Sequence, residues 1–440
     1  MKKIVFIGAG SFHFTTALAR DILTFPAFAD CEIALVDIDA SRLKTIKKAV
    51  DRIVEAGNYP AKVTAYTDRR EALPGADGIL STVLMGGLDV FRHDLEIPLK
   101  YGVNINIGDT RGPAGIFRAL RTIPLMLDIC RDIEKYCPDA VFLNYTNPMA
   151  MLCRAMQAHS KVNVTGLCHS VQGTTEMLAK WIGADMKDVE YLCAGINHQA
   201  FYLDFKWNGK DAYPAISEAV GREDIYIQEM VRNDIFKTLG YYITESSGHN
   251  SEYCAWFRKR PDLIERYNKG TGWNPGVYGY TITEHEKKQS TYAEDIEKWI
   301  KEDIDIERGP EYAAYIFNAM FGDGTLFEFN GNVRNFGLIE NLPYGCCVEV
   351  PVIASKYGLK PVRVGNLPHQ LAALINTSAY SEELAVEGCM EGDPKKIFQA
   401  ICFDPLTAAV CSLDEIKAMT NELFAFNKEW LPHFKHIKVN

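Results

Sequence analysis

The sequence predicts an α/β protein whose first part is a doubly wound parallel sheet. Three observations carry this expectation. A short apolar strand at 3–7 ends in Gly8-Ala9-Gly10-Ser11 and leads straight into a helix-like segment. A second strand, at 31–36, ends at an acid, Asp37. Strand and helix patterns then alternate up to about residue 170, and such alternation builds a parallel sheet whose ligand lies beyond the carboxyl ends of the strands.

The first helix is expected over 15–25, with apolar positions at Ala17, Leu18, Ile22 and Leu23. Glycines at a strand-to-helix turn let a pyrophosphate approach the backbone, and the helix amino terminus adds N–H donors and a favourable dipole. Gly8, Gly10 and Ser11 are therefore the expected nucleotide contacts. His13 stands where the third glycine of the usual fingerprint falls, which predicts a looser approach of helix to strand. Asp37 is placed to accept from both hydroxyls of an adenosine ribose. That favours NAD over NADP, whose extra phosphate an acid repels. A strand over 78–85, a long amphipathic helix over 115–136 and a strand over 140–144 follow. Polar groups cluster near these strand ends: Thr82, then Asp109-Thr110-Arg111-Gly112-Pro113, then Asn144-Tyr145-Thr146-Asn147-Pro148. Asn147, preceding proline, is biased away from helical backbone, which holds its amide at a fixed angle over the site.

With 440 residues, 47% hydrophobic and 24% charged, the chain has the composition of an ordinary globular protein of two or three domains. Its formal charge of −10, with no basic block, argues against a nucleic-acid partner. No apolar run approaches the roughly 18 residues that span a bilayer, which argues against a membrane protein. The amino-terminal apolar run stops at Gly8 with no small-residue cleavage site after it, so it reads as a strand rather than an export signal. The 12 cysteines, the adjacent Cys346-Cys347 included, are accordingly expected as free thiols in a reducing cytoplasm.

Two further stretches carry chemistry, Gly166-Leu167-Cys168-His169-Ser170-Val171-Gln172-Gly173 and Gly195-Ile196-Asn197-His198. The Cys168 thiolate and the His198 imidazole, if the fold brings them together, are good ligands for a borderline divalent metal.

Taken together, Gly8-Ala9-Gly10-Ser11, the Asn144-Tyr145-Thr146-Asn147-Pro148-Met149 turn, Cys168-His169-Ser170-Val171 and Gly195-Ile196-Asn197-His198 resemble glycoside hydrolase family 4. The resemblance extends to Thr244-Glu245-Ser246-Ser247 with Tyr253, and to Gly331-Asn332-Val333-Arg334-Asn335 with Asn341-Leu342-Pro343. It thus spans nearly the whole chain. The Cys-His-Ser-Val form resembles the α-galactosidases of the family, whereas its phospho-glycosidases carry Cys-Asn-Val-Pro or Cys-Asp there. The resemblance implies a lactate/malate-dehydrogenase-like Rossmann domain over 1–170. It also implies an α+β domain over 171–440 that serves substrate, metal and oligomer contacts.

The implied activity is hydrolysis of small α-galactosides such as melibiose, by a redox route that departs from the usual pair of carboxylates. NAD⁺ removes hydride from C3 of the sugar, the ketone acidifies the C2 proton, and a base takes that proton as the glycosidic oxygen leaves. Water then adds and the hydride returns. The resemblance assigns Cys168 and His198 to a divalent metal, Mn²⁺, although thiolate plus imidazole would hold Zn²⁺ or Co²⁺ at least as tightly. As a Lewis acid the metal is worth several kcal/mol. Tyr253 falls where the C2 base of the family lies, and a phenol needs a nearby metal or cation for that role. His169 stands where phospho-α-glycosidases carry an acidic proton donor, and its neutral-range pKa suits the task. Asp109 is the second candidate, as acid or as orienter of the metal shell. Thr82 and Asn147 join the cofactor contacts. Asn147, His169 and Arg334 are the substrate candidates, with Thr244 and His249 as further sugar or metal-shell contacts, and Arg334 and Asn335 open to either a substrate or a subunit contact.

Downstream, 260–280 is rich in Gly, Asn and Tyr and 284–308 is charged and helix-like, which suits a cover over the site. Segments 312–321 and 367–377 have helical apolar spacing and are expected in the core or an oligomer surface. A cytoplasmic homodimer or homotetramer is expected. The rival readings are a family 4 glucosidase or uronidase, a lactate/malate-type dehydrogenase, and a non-enzymatic NAD sensor.

Overall fold

The computed structural model describes residues 1–269 and 275–439. Six strands form the parallel half: β1 (Lys3–Ile7), β2 (Glu32–Val36), β3 (Lys62–Tyr66), β4 (Gly78–Ser81), β5 (Val141–Asn144) and β6 (Asn163–Leu167). Their spatial order is β3-β2-β1-β4-β5-β6, the order of the dinucleotide-binding fold. Strands β2, β4 and β5 are buried along their whole length, as strands covered by helices on both faces must be. Helices Phe12–Leu23 and Ala40–Ala56 pack Leu18, Ile22, Leu43 and Ile46 against one face. Helices Gly112–Tyr136 and Met149–His159 pack Ile116, Ile123, Leu152 and Met156 against the other.

The sheet then continues with antiparallel strands β7 (Val189–Ile196), β8 (Gln199–Trp207), β9 (Lys210–Asp211), β10 (Phe327–Arg334), β11 (Cys347–Ser355) and β12 (Gly358–Pro361). Beyond β6 the order is β10-β11-β7-β8-β9, with β12 beside β11. The join is made by Gly331 opposite Leu167 and Asn332 opposite Gly166. It sets the carboxyl end of β6 and the β7–β8 turn near one another, although 30 residues separate Cys168 from His198 in sequence.

The carboxyl-terminal chain also folds back onto the parallel half. Ala313, Ile316 and Phe317 of helix Tyr312–Phe321 share a core with Ile4, Phe6 and Leu80. Helix Tyr280–Trp299 crosses the glycine turn: the Tyr292 hydroxyl donates to the Gly10 carbonyl at 2.9 Å, and Trp299 meets Phe12 edge-on.

Several element ends differ from the sequence expectation. The strand expected over 78–85 stops at Ser81, because Gly86 and Gly87 with positive φ turn the chain into the next helix. The first helix starts at Phe12 and the long one at Gly112, whose following Pro113 suits a first turn. The charged helix ends at Trp299 rather than 308. Residues 308–311 instead lie along the first helix, Arg308 over the Phe25 ring at 3.4 Å and the Gly309 N–H donating to Asp21 at 2.9 Å. The helix expected over 367–377 runs from His369 to Glu391. Of the expected cover at 260–280, Pro261–Asn268 is helical, and 270–274 lie outside the described residues. Among the described residues no helix is long and apolar enough to cross a membrane.

Candidate active site

The glycine turn is built as the sequence requires. Gly8 has φ +84°, and a Cβ there would lie 2.6 Å from the Thr82 carbonyl oxygen, so a side chain is excluded on both counts. The Thr82 hydroxyl donates back to the Gly8 carbonyl at 2.9 Å. Thr82 thus sits just past β4 rather than within it. Asp37 accepts from the Gly10 N–H at 2.8 Å and from the Asp39 N–H at 2.9 Å, which uses two of about four acceptor positions on its carboxylate. Ser11 precedes the helix, and its hydroxyl makes no capping bond. Gly8, Gly10, Ser11, Asp37 and Thr82 therefore surround one turn, while His13, in the third-glycine position, is exposed.

Beyond the ends of β6 and β7 lies a buried polar cluster. Cys168, His198 and Glu245 bring a thiol sulfur, a ring nitrogen and a carboxylate oxygen within 4.8 Å of one another. The Thr110 hydroxyl donates to Asp109 at 2.7 Å, so toward His198, 3.0 Å away, its oxygen accepts from Nδ1–H. That tautomer leaves the Nε2 lone pair free, and Nε2 faces Glu245 Oε2 at 3.8 Å. Burial lowers the His198 pKa to about 4, so the ring is neutral, as a metal ligand must be.

Asp109, His198 and His249 form a second close set. His249 lies 3.6 Å from Asp109 and 3.2 Å from Glu245. Burial opposes its charge, but Glu245 and Asp109 prevail and raise its pKa to about 9. The two sets share His198, and the one that adds a thiol to it is Cys168, His198 and Glu245. Burial, then Glu245 and Glu349, push the Cys168 thiol up. Burial and Glu245 likewise raise Glu349 to about 7. Groups that oppose one another's ionisation in this way are relieved by a bound cation.

Tyr253 closes the short helix Ser247–Glu252, with its hydroxyl 3.4 Å from His198 Nδ1. Burial, then Asp109 and Glu252, hold the phenol well above its ordinary range, while the Arg111 guanidinium, 4.7 Å from the ring centre, opposes them. His169 follows Cys168, with Nε2 between the two Glu311 oxygens at 2.8 and 2.9 Å. Its ring stacks on Tyr145, and Phe14 lies against both. Burial lowers the His169 pKa, and Glu311 outweighs it to give a net rise. Asn147 donates to Asp109 at 3.0 Å, and among the described residues its buried side-chain oxygen has no partner, nor does the Thr244 hydroxyl.

Arg334 is not brought to this cluster. Its Nε donates to the Gly345 carbonyl at 2.5 Å and its guanidinium lies over the Phe336 ring. Asn335 is used within the same loop, bonding Ile339 and Leu342. Sequence reasoning passed over Glu245, Arg111, Glu311 and Glu349. The first two lie inside motifs already noted for other residues. Glu311, 142 positions from His169, carries no local signal, and neither does Glu349.

The family model described as family 4 glycosyl hydrolase matches residues 3–184, and that of the family 4 glycosyl hydrolase C-terminal domain matches 193–407. The chain belongs to glycosyl hydrolase family 4. This family 4 chain is 39% identical to an α-galactosidase of Bacillus subtilis (strain 168) over 99% of its own length and 100% of the relative's. It is 38% identical to an α-galactosidase of Rhizobium meliloti (strain 1021), over 99% of its length and 90% of the relative's. It shares its fold, at TM-score 0.80 and 21% identity over 100% of both chains, with a 6-phospho-β-glucosidase of Thermotoga maritima solved with manganese, NAD⁺ and glucose-6-phosphate.

Proposed function

We propose that this chain is an α-galactosidase acting on small α-galactosides with NAD and a divalent metal, Mn²⁺. The observation that carries the reading is the convergence of Cys168, His198, Glu245 and Tyr253 in one buried cluster beside the end of the parallel sheet. The galactose assignment is supported by two relatives named α-galactosidase that match over nearly the full chain. The site fits both groups: a glycine turn where a Cβ would clash, and a thiol, a neutral imidazole and a carboxylate within 4.8 Å of one another.

Bound there, NAD⁺ supplies a reversible hydride acceptor, and the metal supplies a Lewis acid for the sugar oxygens. Gly8, Gly10 and Ser11 receive the pyrophosphate, and Asp37 the ribose hydroxyls. Thr82 braces the turn from below. Cys168, His198 and Glu245 hold the metal, with Asp109 and Thr110 fixing the His198 tautomer. Tyr253 takes the C2 proton as a phenolate, after giving its own proton to solvent, an ionisation that the Arg111 guanidinium and a bound metal would favour. His169, set by Glu311, gives a proton to the leaving oxygen. The unpartnered oxygens of Asn147 and Thr244 receive sugar hydroxyls. The reading includes a reducing cytoplasm, which would keep Cys168 as the free thiol that its role requires. It also includes a homo-oligomer, supported by the exposed aromatics Phe336 and Tyr344.

The test is release of nitrophenol from p-nitrophenyl α-D-galactoside under reducing conditions, with and without NAD⁺ and Mn²⁺. Release that needs both, with no build-up of NADH, is expected. Release that survives complete removal of NAD would overturn the mechanism.

A further inference from the structure

Arg111 ties together three chain segments that carry the cluster. Its Nη2 donates at 2.5 Å to the Asn197 carbonyl oxygen, which belongs to the peptide unit that joins Asn197 to His198. Its guanidinium lies 4.7 Å from the centre of the Tyr253 ring. Its Nε donates to Glu382 Oε1 at 2.7 Å, on helix His369–Glu391. The two side chains of this ion pair are only 4% and 9% exposed. Burying a pair of charges is weak as a source of stability, since desolvation cancels most of the attraction, so its presence calls for another reason. The planar fork supplies one. Nε and Nη2 point in fixed directions from one rigid group, while its face lies on an aromatic ring, a combination that a lysine ammonium cannot reproduce. Arg111 also directly follows Thr110, which sets the His198 tautomer, so one turn of chain governs both the ring and the backbone of that residue.

We infer that Arg111 is a positioning residue that holds the His198 imidazole and the Tyr253 phenol in one fixed relation, with Glu382 as the counter-charge that keeps its fork aligned. Only the kinetic arm of the test rests on the galactosidase reading.

The experiment compares the full-length wild type with Arg111→Lys and Glu382→Gln. Mn²⁺ affinity is read by electron paramagnetic resonance, folding by thermal unfolding, and turnover with galactoside carrying hydrogen or deuterium at C2. Arg111→Lys is expected to unfold cooperatively and to weaken Mn²⁺ binding by roughly ten- to a hundredfold, the usual effect of losing a group that orients a metal ligand. Its kcat should fall by a similar factor with KM changed less than about threefold, and its C2 isotope effect should rise. Glu382→Gln keeps an acceptor oxygen and is expected to lose less on each readout. Folded Arg111→Lys with wild-type Mn²⁺ affinity and isotope effect would overturn the inference, as would a loss accounted for wholly by its unfolded fraction. A wild type that binds Mn²⁺ yet releases no sugar would count against the galactosidase reading alone, and the Mn²⁺ arm would still decide on Arg111.

Discussion

His198 Nδ1 lies 3.0 Å from Thr110 Oγ1, and the Thr110 proton is already committed to Asp109. The ring must therefore donate from Nδ1 and offer Nε2 to Cys168 and Glu245. A carboxylate-to-hydroxyl-to-imidazole relay of this kind fixes both tautomer and ring angle.

Removing one donor from that set should weaken metal binding without unfolding the chain. Cys168→Ser and Glu245→Gln are each expected to raise the Mn²⁺ dissociation constant by about tenfold or more, measured by titration calorimetry in the absence of NAD. Wild-type affinity in Glu245→Gln would leave Glu245 only as the partner of His249.

Tyr253→Phe deletes the phenol that lies beside His198. Turnover should fall by roughly 10²- to 10⁴-fold, the range for loss of a general base. Exchange of the C2 hydrogen with solvent should stop, while NAD⁺ and Mn²⁺ titrate as in the wild type. Exchange at the wild-type rate would assign the base elsewhere.

Glu311→Gln leaves His169 with a weaker partner at Nε2. If His169 protonates the leaving oxygen, melibiose, whose sugar alkoxide is a poor leaving group, should lose roughly tenfold or more in kcat. Nitrophenyl galactoside, whose phenolate leaves without help, should lose much less. Equal losses on the two substrates would remove His169 from the acid role.

Gly8→Ala places a Cβ 2.6 Å from the Thr82 carbonyl oxygen at a residue with φ +84°. Left-handed backbone alone costs about 1–2 kcal/mol for a non-glycine residue. A lower Tm and weakened NAD⁺ binding, read by fluorescence titration, are the expected results. Unchanged NAD⁺ affinity would move the nucleotide off this turn.

Asp404 caps helix Pro405–Val410, accepting from the Thr407 N–H at 2.9 Å and hydroxyl at 2.6 Å. Burial, against those bonds, raises its pKa from 3.8 to about 6. The folded value lies above the unfolded one, so folding favours the protonated form. The contribution to stability is full below about pH 4 and is lost as pH rises through about 6. Asp404→Asn keeps a capping oxygen and has no charge to bury. Wild-type urea midpoints should fall relative to those of Asp404→Asn between about pH 4 and 6. Parallel curves would show that Asp404 stays ionised in the fold.

The parallel half is legible without the structure. Its apolar strands, the Gly8 and Gly10 turn, and the acid at Asp37 are local patterns, readable because backbone conformation and strand burial depend on near neighbours. The residue types at Cys168, His198 and Tyr253 were likewise legible from their motifs. The tertiary structure alone decided how these groups are held: Thr110 on His198, Glu311 on His169 and Glu382 on Arg111, partners 88, 142 and 271 positions apart. It also left Arg334, which its motif had suggested for substrate or a subunit contact, on the Gly345 loop. Of the three pairings, the first depends on the order in which β10, β11 and β7 extend the sheet beyond β6, and the other two on how helices pack back onto it. Strand order is set by the packing of whole elements, a global balance that no short stretch of chain encodes.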